Sequence, residues 1–238
     1  MRLYVEAPLA VDARVEASDA QSHYLLHVMR ARVGDHISLF NGTDGEWRAR
    51  IANATKRRCI LDCDAQARPQ EITPDLWLCF APIKRTPVDY LTQKATELGV
   101  SILQPVMTHR TIVSRVNTDR MHANAIEAAE QSDRLSVPHV HQPLSLEKLL
   151  STWPANRQLM FCDEAGEAQP IANALPAHRR AVGAVLTGPE GGFDTGEREH
   201  IRSHAFVTPV SLGPRILRAD TAALAALAVW QALVGDWR

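Results

Sequence analysis

The chain has 238 residues, which is enough for one large domain or two small ones, each with a hydrophobic core. No stretch is apolar enough to span a bilayer, and residues 1–6 lack a signal-peptide core, so we expect a cytoplasmic protein without a membrane partner. The formal net charge of −1 neither favours nor excludes a nucleic-acid partner, because a basic face can lie on a neutral protein.

Residues 1–70 are predicted to form a small β-rich domain. Asn41-Gly42 and Asp44-Gly45 supply turn residues between two of its strands, and a short helix is expected at residues 20–30. Alternating apolar and polar residues predict strands at residues 36–40, 46–51 and 57–63. This pattern is typical of a small barrel.

Basic residues are concentrated in this domain. By composition alone they are expected to form a solvated barrel face. They are Arg30, Arg32, Lys56, Arg57 and Arg58.

The four cysteines do not form a CxxC pair, and we expect reduced thiols rather than disulfides or a metal site. Two histidine pairs, His23/His27 and His200/His204, have the i,i+4 spacing that places both rings on one helical face. Neither pair has the intervening glutamate of a zinc protease or an evident third ligand, so packing or surface roles are favoured and no metal is expected.

A linker with two prolines, at residues 68–74, leads into a second domain at residues 71–238. Thr86 is the expected N-cap of a helix that Gly99 closes, and Asp194 with Glu197 resembles a capping box. The last helix, at residues 221–233, is apolar nearly all round and must therefore be covered on most faces, as a core helix is. Strands are expected at residues 76–81, 100–106, 158–162, 181–187 and 206–212. The alternation predicts an α/β domain with a mainly parallel sheet flanked by helices.

Two of these strands end in glycine-bearing turns. The first is followed by Gly188-Pro189-Glu190-Gly191-Gly192, and the second runs into Ser211-Leu212-Gly213. If the two strands are neighbours in a parallel sheet, both turns surround one small ligand at the carboxyl ends of the strands. The first turn matches neither the dinucleotide fingerprint nor the phosphate-binding loop of nucleotide hydrolases.

The two motifs TGPEGGF (187–193) and SLGPRILRADTA (211–222) resemble the cofactor loops of the RsmE-like 16S ribosomal RNA uracil-N3 methyltransferases, which belong to the knotted SPOUT superfamily. HYLLHVMR (23–30), QKATELGV (93–100) and EQSDR (130–134) are similar to further motifs of that family, in the same order. Asp220 replaces the usual glutamate, and His109-Arg110-Thr111 replaces a more typical Glu-Arg-Ser.

The resemblance implies a fold, a cofactor and a substrate. The fold is an amino-terminal PUA-like β-barrel that binds RNA, followed by a SPOUT domain with a carboxy-terminal trefoil knot and a homodimer interface at the last helix. The cofactor is S-adenosylmethionine, with no metal. The substrate is 16S ribosomal RNA, either free or within an assembled small subunit, methylated at N3 of one uridine.

The resemblance also implies residue roles. Arg218 is the first candidate for stabilising charge on the target base, followed by Arg134 and Arg85. Glu190 is a candidate proton acceptor or a structural loop residue. The resemblance makes the basic residues of the first domain predicted phosphate contacts with RNA, and Arg85 and Arg110 join them. The predicted RNA contacts are therefore Arg30, Arg32, Lys56, Arg57, Arg58, Arg85 and Arg110. Glu164 is either a third-loop contact to the cofactor or an ordinary solvated acid. The expected cofactor-binding residues are Leu186, Thr187, Gly188, Pro189, Glu190, Gly191, Gly192, Ser211, Leu212, Gly213, Ile216, Leu217, Arg218, Thr221 and Glu164.

Two other functions remain open. One is a non-enzymatic RNA-binding protein on the same scaffold, against which the intact loop glycines argue. The other is a related knotted methyltransferase that acts on transfer RNA or on ribose 2′-hydroxyls, against which the amino-terminal domain and the 93–100 and 130–134 motifs argue.

Overall fold

The structure, a computed structural model, describes residues 1–55, 58–164, 168–175 and 182–237 apart from the side chain of Arg85. Lys56, Arg57 and the Arg85 side chain, all predicted RNA contacts, therefore lie outside the described residues. The chain divides into two compact units, Met1–Ile72 with Ala129–Val137 and Thr73–Ala128 with Pro138–Arg238. The sequence interpretation placed the first boundary near residue 70 and assigned the segment 129–137 to the second domain, whereas here that segment belongs to the first unit.

The first unit contains a five-stranded sheet in the order β1-β3-β4-β5-β2. Strand β1 is parallel to β3, and the other pairs are antiparallel. The strands are β1 (Arg2–Tyr4), β2 (Arg14–Glu16), β3 (His36–Phe40), β4 (Glu46–Ala54) and β5 (Cys59–Arg68). The three predicted strands are present, but β4 ends at Ala54 rather than 51 and β5 ends at Arg68 rather than 63; residue 57, the predicted start of β5, lies outside the described residues. Strands β1 and β2 were not predicted because three residues are too few to establish a pattern.

Strand alternation gives this unit its core. The residues Leu39, Ile51 and Leu61 are fully buried, and Cys59 and Cys63 lie on the same buried face of β5. The predicted helix at 20–30 is shorter than expected: α1 (Asp19–His23) has a Ser18–Gln21 capping box, and a π-helical turn continues it over Tyr24–Val28.

The segment 129–137 is attached to this unit by polar and apolar contacts. The Arg2 guanidinium donates to the Arg134 carbonyl at 2.8 Å, and the Tyr4 amide donates to the Glu130 carboxylate at 2.9 Å. Ala129 and Leu135 are buried with Phe40. These partners are at least 89 residues apart in sequence, the separation of Phe40 and Ala129, so no local pattern predicts their association.

The second unit contains a parallel sheet in the order β11-β13-β10-β12-β6-β7-β8, in which β9 also pairs with β7. The strands are β6 (Leu76–Phe80), β7 (Ile102–Met107), β8 (His139–Val140), β9 (Leu144–Ser145), β10 (Gln158–Cys162), β11 (Gln169–Pro170), β12 (Gly183–Thr187) and β13 (Val207–Ser211). The five predicted strands are all present, with ends that differ by one or two residues in four cases. Residue 181, the predicted start of β12, lies outside the described residues.

Helices pack on both faces of this sheet. One face is covered by a core that includes Leu91, Met121 and Trp230, and the other by a core that includes Leu149, Phe161 and Ile201. The helices are α2 (Arg85–Glu97), α3 (Thr118–Gln131), α4 (Leu146–Ser151), α5 (Ile171–Ala174), α6 (Thr195–Arg202) and α7 (Ala219–Leu233).

Two predictions about helix ends are confirmed and one is wrong. Asp194 and Glu197 form the expected capping box at the start of α6, and Gly99, with φ +84°, follows the end of α2. The N-cap of α2, however, is Lys84 rather than Thr86. Pro87 is therefore the third residue of the helix, where its missing N–H still removes no intrahelical hydrogen bond.

No helix among the described residues is long and apolar enough to cross a membrane.

Candidate functional site

A cavity of about 680 Å³ lies at the carboxyl ends of β10, β12 and β13. The prediction that the strands now labelled β12 and β13 are neighbours in the sheet is wrong. Strand β10 lies between them and is parallel to both. Three loops therefore meet at the cavity, and the loop after β10 contributes Asp163 and Glu164 to its lining. A third-loop contact was one of the two alternatives given for Glu164, whereas Asp163 was not predicted.

The glycine-rich loop after β12 (188–193) is held close to the sheet. The amide of Gly192 donates to the Pro189 carbonyl at 2.9 Å, which closes a turn. Phe193 is buried with its ring 5.2 Å from that of Phe161, and a Cβ on Gly188 would lie only 2.8 Å from the Phe193 ring. Gly192 has φ +65°, and a Cβ there would lie 2.1 Å from the Glu164 carboxylate. A side chain at either glycine would therefore displace a neighbour.

The loop after β13 forms the opposite wall and runs into α7. Gly213 has φ +105°, and its amide donates to the Ser211 hydroxyl at 3.3 Å. Arg218 is the N-cap of α7 and makes no side-chain capping bond. Its side chain lines the cavity and is exposed. A guanidinium at a helix N-terminus is opposed by the helix dipole, so this position does not favour helix stability.

The loop after β10 contributes a buried acid. Asp163 has a side chain only 1% exposed, and its carboxylate forms ion pairs with Arg198 at 3.2 Å and Arg202 at 2.5 Å. Both arginines lie on α6, so Asp163 fastens α6 to the end of β10. Arg198 also lines the cavity. These two ion pairs were not predicted, because Asp163 is far from Arg198 and Arg202 in the chain.

The loop after β7, residues 108–111, contacts the glycine-rich loop from the side. The backbone amide of His109 donates to the Glu197 carboxylate at 2.8 Å, and its Nδ1 lies 2.5 Å from Asp194 Oδ2. The Arg110 guanidinium donates to the Gly191 carbonyl at 2.8 Å. The hydrogen bond to Asp194 and the charge of Glu197 raise the pKa of His109. The pKa of the Asp194 carboxyl is lowered, first by its hydrogen bond from the Glu197 amide and then by His109.

His109, Asp194 and Glu197 are the one group among the described residues whose atoms are spaced to hold a metal ion. All four carboxylate oxygens of the group already have protein partners: Asp194 accepts from the Glu197 amide and His109, and Glu197 accepts from the Asp194 and His109 amides. Asp194 and Glu197 therefore cap the N-terminus of α6, and both also bind His109. The two i,i+4 histidine pairs do place their rings near each other, with centroids 5.0 Å apart for His23/His27 and 5.1 Å for His200/His204.

Most of the predicted cofactor residues meet at the cavity. Leu186, Gly191 and Thr221, also predicted, are not among the described lining residues: Leu186 is fully buried in the sheet, and Gly191 faces Arg110. The predicted residues that line it are Thr187, Gly188, Pro189, Glu190, Gly192, Ser211, Leu212, Gly213, Ile216, Leu217, Arg218 and Glu164. Lining residues that the sequence analysis missed include Asp163, Arg198 and Arg215.

Cys162 also lines the cavity, and burial raises the pKa of its thiol to about 12. The thiol is therefore protonated at neutral pH and is a poor nucleophile. The four cysteines are free, as predicted.

The predicted RNA contacts have different surroundings. Arg30 and Arg32 are exposed. Arg58 is paired with Glu16 through two contacts, of 2.5 and 2.6 Å, so much of its charge is already compensated. Arg134, a candidate catalytic residue, lies in the first unit, where its guanidinium donates to the Ser136 hydroxyl at 3.2 Å. Arg110 is used on the Gly191 carbonyl.

Family models and individual relatives of known name both identify the family of this chain. An RNA methyltransferase domain model matches residues 70–231, and an RNA methyltransferase PUA domain model matches residues 17–62. Ribosomal RNA small subunit methyltransferase E from Rickettsia conorii is 33% identical over 229 residues, which covers 95% of this chain and 93% of that protein. The protein of the same name from Synechocystis is 32% identical over 98% of this chain and 78% of that protein.

Solved structures agree. A ribosomal RNA small subunit methyltransferase E from Neisseria gonorrhoeae, in a crystal structure bound to S-adenosylmethionine, is 30% identical in sequence to this chain. The alignment has a TM-score of 0.89 and covers 100% of this chain and 99% of that one. A methyltransferase structure from Legionella pneumophila with bound S-adenosylmethionine is 27% identical, with a TM-score of 0.88, and the alignment covers 99% of this chain and 98% of that one. The predicted fold class, a mainly parallel α/β sheet flanked by helices behind an amino-terminal PUA domain, is confirmed. The chain belongs to the ribosomal RNA small subunit methyltransferase E family.

Proposed function

We propose that this protein transfers a methyl group from S-adenosylmethionine to N3 of a uridine in 16S ribosomal RNA. The observation that carries the proposal is the cavity where three strand-end loops meet, in a chain of this family. Relatives of the family with similar structures are described as bound to this cofactor.

The residues of the cavity fit S-adenosylmethionine. Its volume of about 680 Å³ lies within the range of sites that enclose small organic ligands. The cofactor carries a sulfonium and an ammonium cation as well as a carboxylate, so it needs partners of both signs. The lining supplies acids at Asp163, Glu164 and Glu190 and guanidinium groups at Arg198, Arg215 and Arg218.

When bound, S-adenosylmethionine supplies an electrophilic methyl group, so the protein must prepare the other reactant. Uracil N3 carries a proton, and its loss leaves negative charge shared between O2 and O4 of the base. Arg218 is the residue to stabilise that charge, since it lines the cavity at a helix end where it does not favour helix stability. Glu190, exposed at the cavity, is a candidate to accept the proton, because a carboxylate in reach can act as a general base.

The target uridine must leave its pairing partner before N3 can be reached, because N3 lies on the pairing edge of the base. RNA is then held mainly through its phosphates. The exposed side chains of Arg30 and Arg32, in the unit that contains the PUA match, support a phosphate-binding role for that unit. Arg134 stays a second candidate for stabilising the uracil anion.

We further propose a cytoplasmic homodimer. The partly exposed apolar residues of α7, among them Leu224 and Val229, support an interface at this helix. Analytical ultracentrifugation tests this: a monomer at all concentrations would contradict it.

The experiment that tests the function is nucleoside mass spectrometry of 16S ribosomal RNA and of small subunits, lacking the modification, after incubation with the protein and S-adenosylmethionine. We expect 3-methyluridine at one position. Methylation of ribose, or of transfer RNA alone, would favour the related methyltransferase, and cofactor binding without any methylation would remove the proposal in favour of an RNA-binding protein.

The role of Arg218 has its own test. We expect Arg218→Ala to lower the single-turnover rate at least ~100-fold while the dissociation constants of cofactor and RNA stay within about twofold, because the charge it stabilises develops in the transition state. Arg215→Lys, which keeps a cation at the same cavity wall, is the matched comparison. If raising the pH, which removes the N3 proton, recovers none of the rate lost in Arg218→Ala, charge stabilisation is the wrong role.

A further inference from the structure

Arg110 contacts the glycine-rich loop, and His109 contacts the start of α6, which directly follows that loop. Neither residue is among the described residues that line the cavity. Arg110 binds the Gly191 carbonyl, and His109 binds Asp194 and Glu197, the capping residues of α6. These contacts lie on both sides of Gly192 and Phe193.

The segment that carries these two residues is itself well defined. Its ends are joined by the Thr111 amide, which donates to the Thr108 carbonyl at 3.1 Å, and by the Thr108 amide, which donates to the Thr111 hydroxyl at 3.0 Å. Residues 108–111 directly follow β7 in the sheet. The segment is therefore a turn anchored to the sheet rather than a loose loop.

We infer that His109 and Arg110 are positioning residues that hold the glycine-rich loop in its ligand-binding conformation, as a clamp formed by residues 108–111. The inference rests on the proposed function only in taking S-adenosylmethionine as the ligand. Because only the fraction of molecules with the loop in place binds the ligand, loss of the clamp lowers the apparent affinity.

The charges at the clamp make its strength depend on pH. Among the described residues, the charged groups in contact with the His109 ring are Asp194 and Glu197 on α6, and the next residue in the chain, Arg110, carries a positive charge. The imidazolium form of His109 favours the contact, and its pKa is raised above 6.5. This contribution is therefore complete at pH values below 6.5 and is lost as the pH rises through the raised pKa. Asp194, whose pKa is lowered below 3.8, stays ionised throughout this range.

The test measures S-adenosylmethionine affinity by calorimetry, in chelator, between about pH 5.5 and about pH 8.5. We expect wild-type affinity to exceed that of His109→Ala by roughly two- to fivefold at the acid end, with the difference shrinking as the pH rises. His109→Gln, which keeps a donor without the charge, should restore part of the affinity without the pH dependence. His200→Ala, a histidine on α6 outside the cluster, is the matched control. The cofactor amine titrates in the same range, so the comparison is between variants at each pH.

Hydrogen exchange of the ligand-free protein supplies a readout that does not depend on the ligand. We expect faster exchange in residues 188–197 for His109→Ala and Arg110→Ala, and unchanged exchange for His200→Ala. If the wild type binds no S-adenosylmethionine at any pH, the proposed function fails but the exchange result still decides the clamp.

Two results would overturn the clamp. One is wild-type-like affinity, pH profile and exchange in both clamp variants. The other is tight binding of Zn²⁺ by the wild type that His109→Ala abolishes, since the cluster would then be a metal site.

Discussion

Gly192→Ala is the sharpest test of how the glycine-rich loop approaches its ligand. Gly192 has φ +65°, where a residue with a Cβ is disfavoured by ~1–2 kcal/mol. The new methyl group would also lie 2.1 Å from the Glu164 carboxylate, which must move away from its place at the cavity. If the strain is relieved by displacing the loop, the binding-competent fraction falls, and we expect S-adenosylmethionine affinity to fall roughly five- to thirtyfold.

Calorimetric titration measures this effect, and thermal unfolding in parallel shows whether the fold persists. Gly196→Ala is the matched control, because Gly196 lies in α6 without positive φ and its added Cβ would meet only Asp194, at an ordinary 3.5 Å. Adding Glu164→Ala to Gly192→Ala separates the clash from the strain: a non-additive pair identifies the clash. Wild-type affinity in folded Gly192→Ala, or an equal loss in Gly196→Ala, would refute the reasoning.

Three further outcomes are expected. Asp163→Asn should lower the free energy of unfolding, measured by urea titration, by about 2–3 kcal/mol, because Arg198 and Arg202 lose a buried charged partner while remaining partly solvated. An unchanged free energy of unfolding would show that Asp163 does not stabilise the packing of α6. Cys162 should resist alkylation by iodoacetamide near neutral pH until the protein unfolds, since its pKa is about 12; rapid labelling in the native state would contradict the protonated thiol. Arg30→Glu and Arg32→Glu, each made singly, should weaken RNA binding and flatten its salt dependence more than Arg58→Glu does, because Arg58 is already paired with Glu16. Equal effects of the three single variants would show that this pairing does not matter.

Local patterns in the sequence predicted the elements whose determinants are neighbours in the chain. Three such features depend only on residues within one element or next to it: the capping box of Asp194 and Glu197, Gly99 after the end of α2, and the bounds of β10. The two glycine-bearing motifs likewise indicated the family and most of the residues at the cavity. The trefoil knot, which no local pattern encodes, stays a prediction from the resemblance.

Other features depended on pairings between distant parts of the chain. The position of β10 between β12 and β13 brings Asp163 and Glu164 to the cavity, and only the order of strands in the sheet decides it. The segment 129–137 belongs to the first unit through contacts made more than ninety residues away.

The assignment of Arg110 shows the same limit at a single residue. Its contact with RNA stays a prediction from the resemblance, and no local pattern predicted that its guanidinium donates to the Gly191 carbonyl, eighty-one residues away. Propensity and periodicity are properties of neighbouring residues, so they locate helices, strands and turns. The partner of an exposed guanidinium is decided by strand order and packing, which bring chemically compatible groups within hydrogen-bond distance only after the chain has folded.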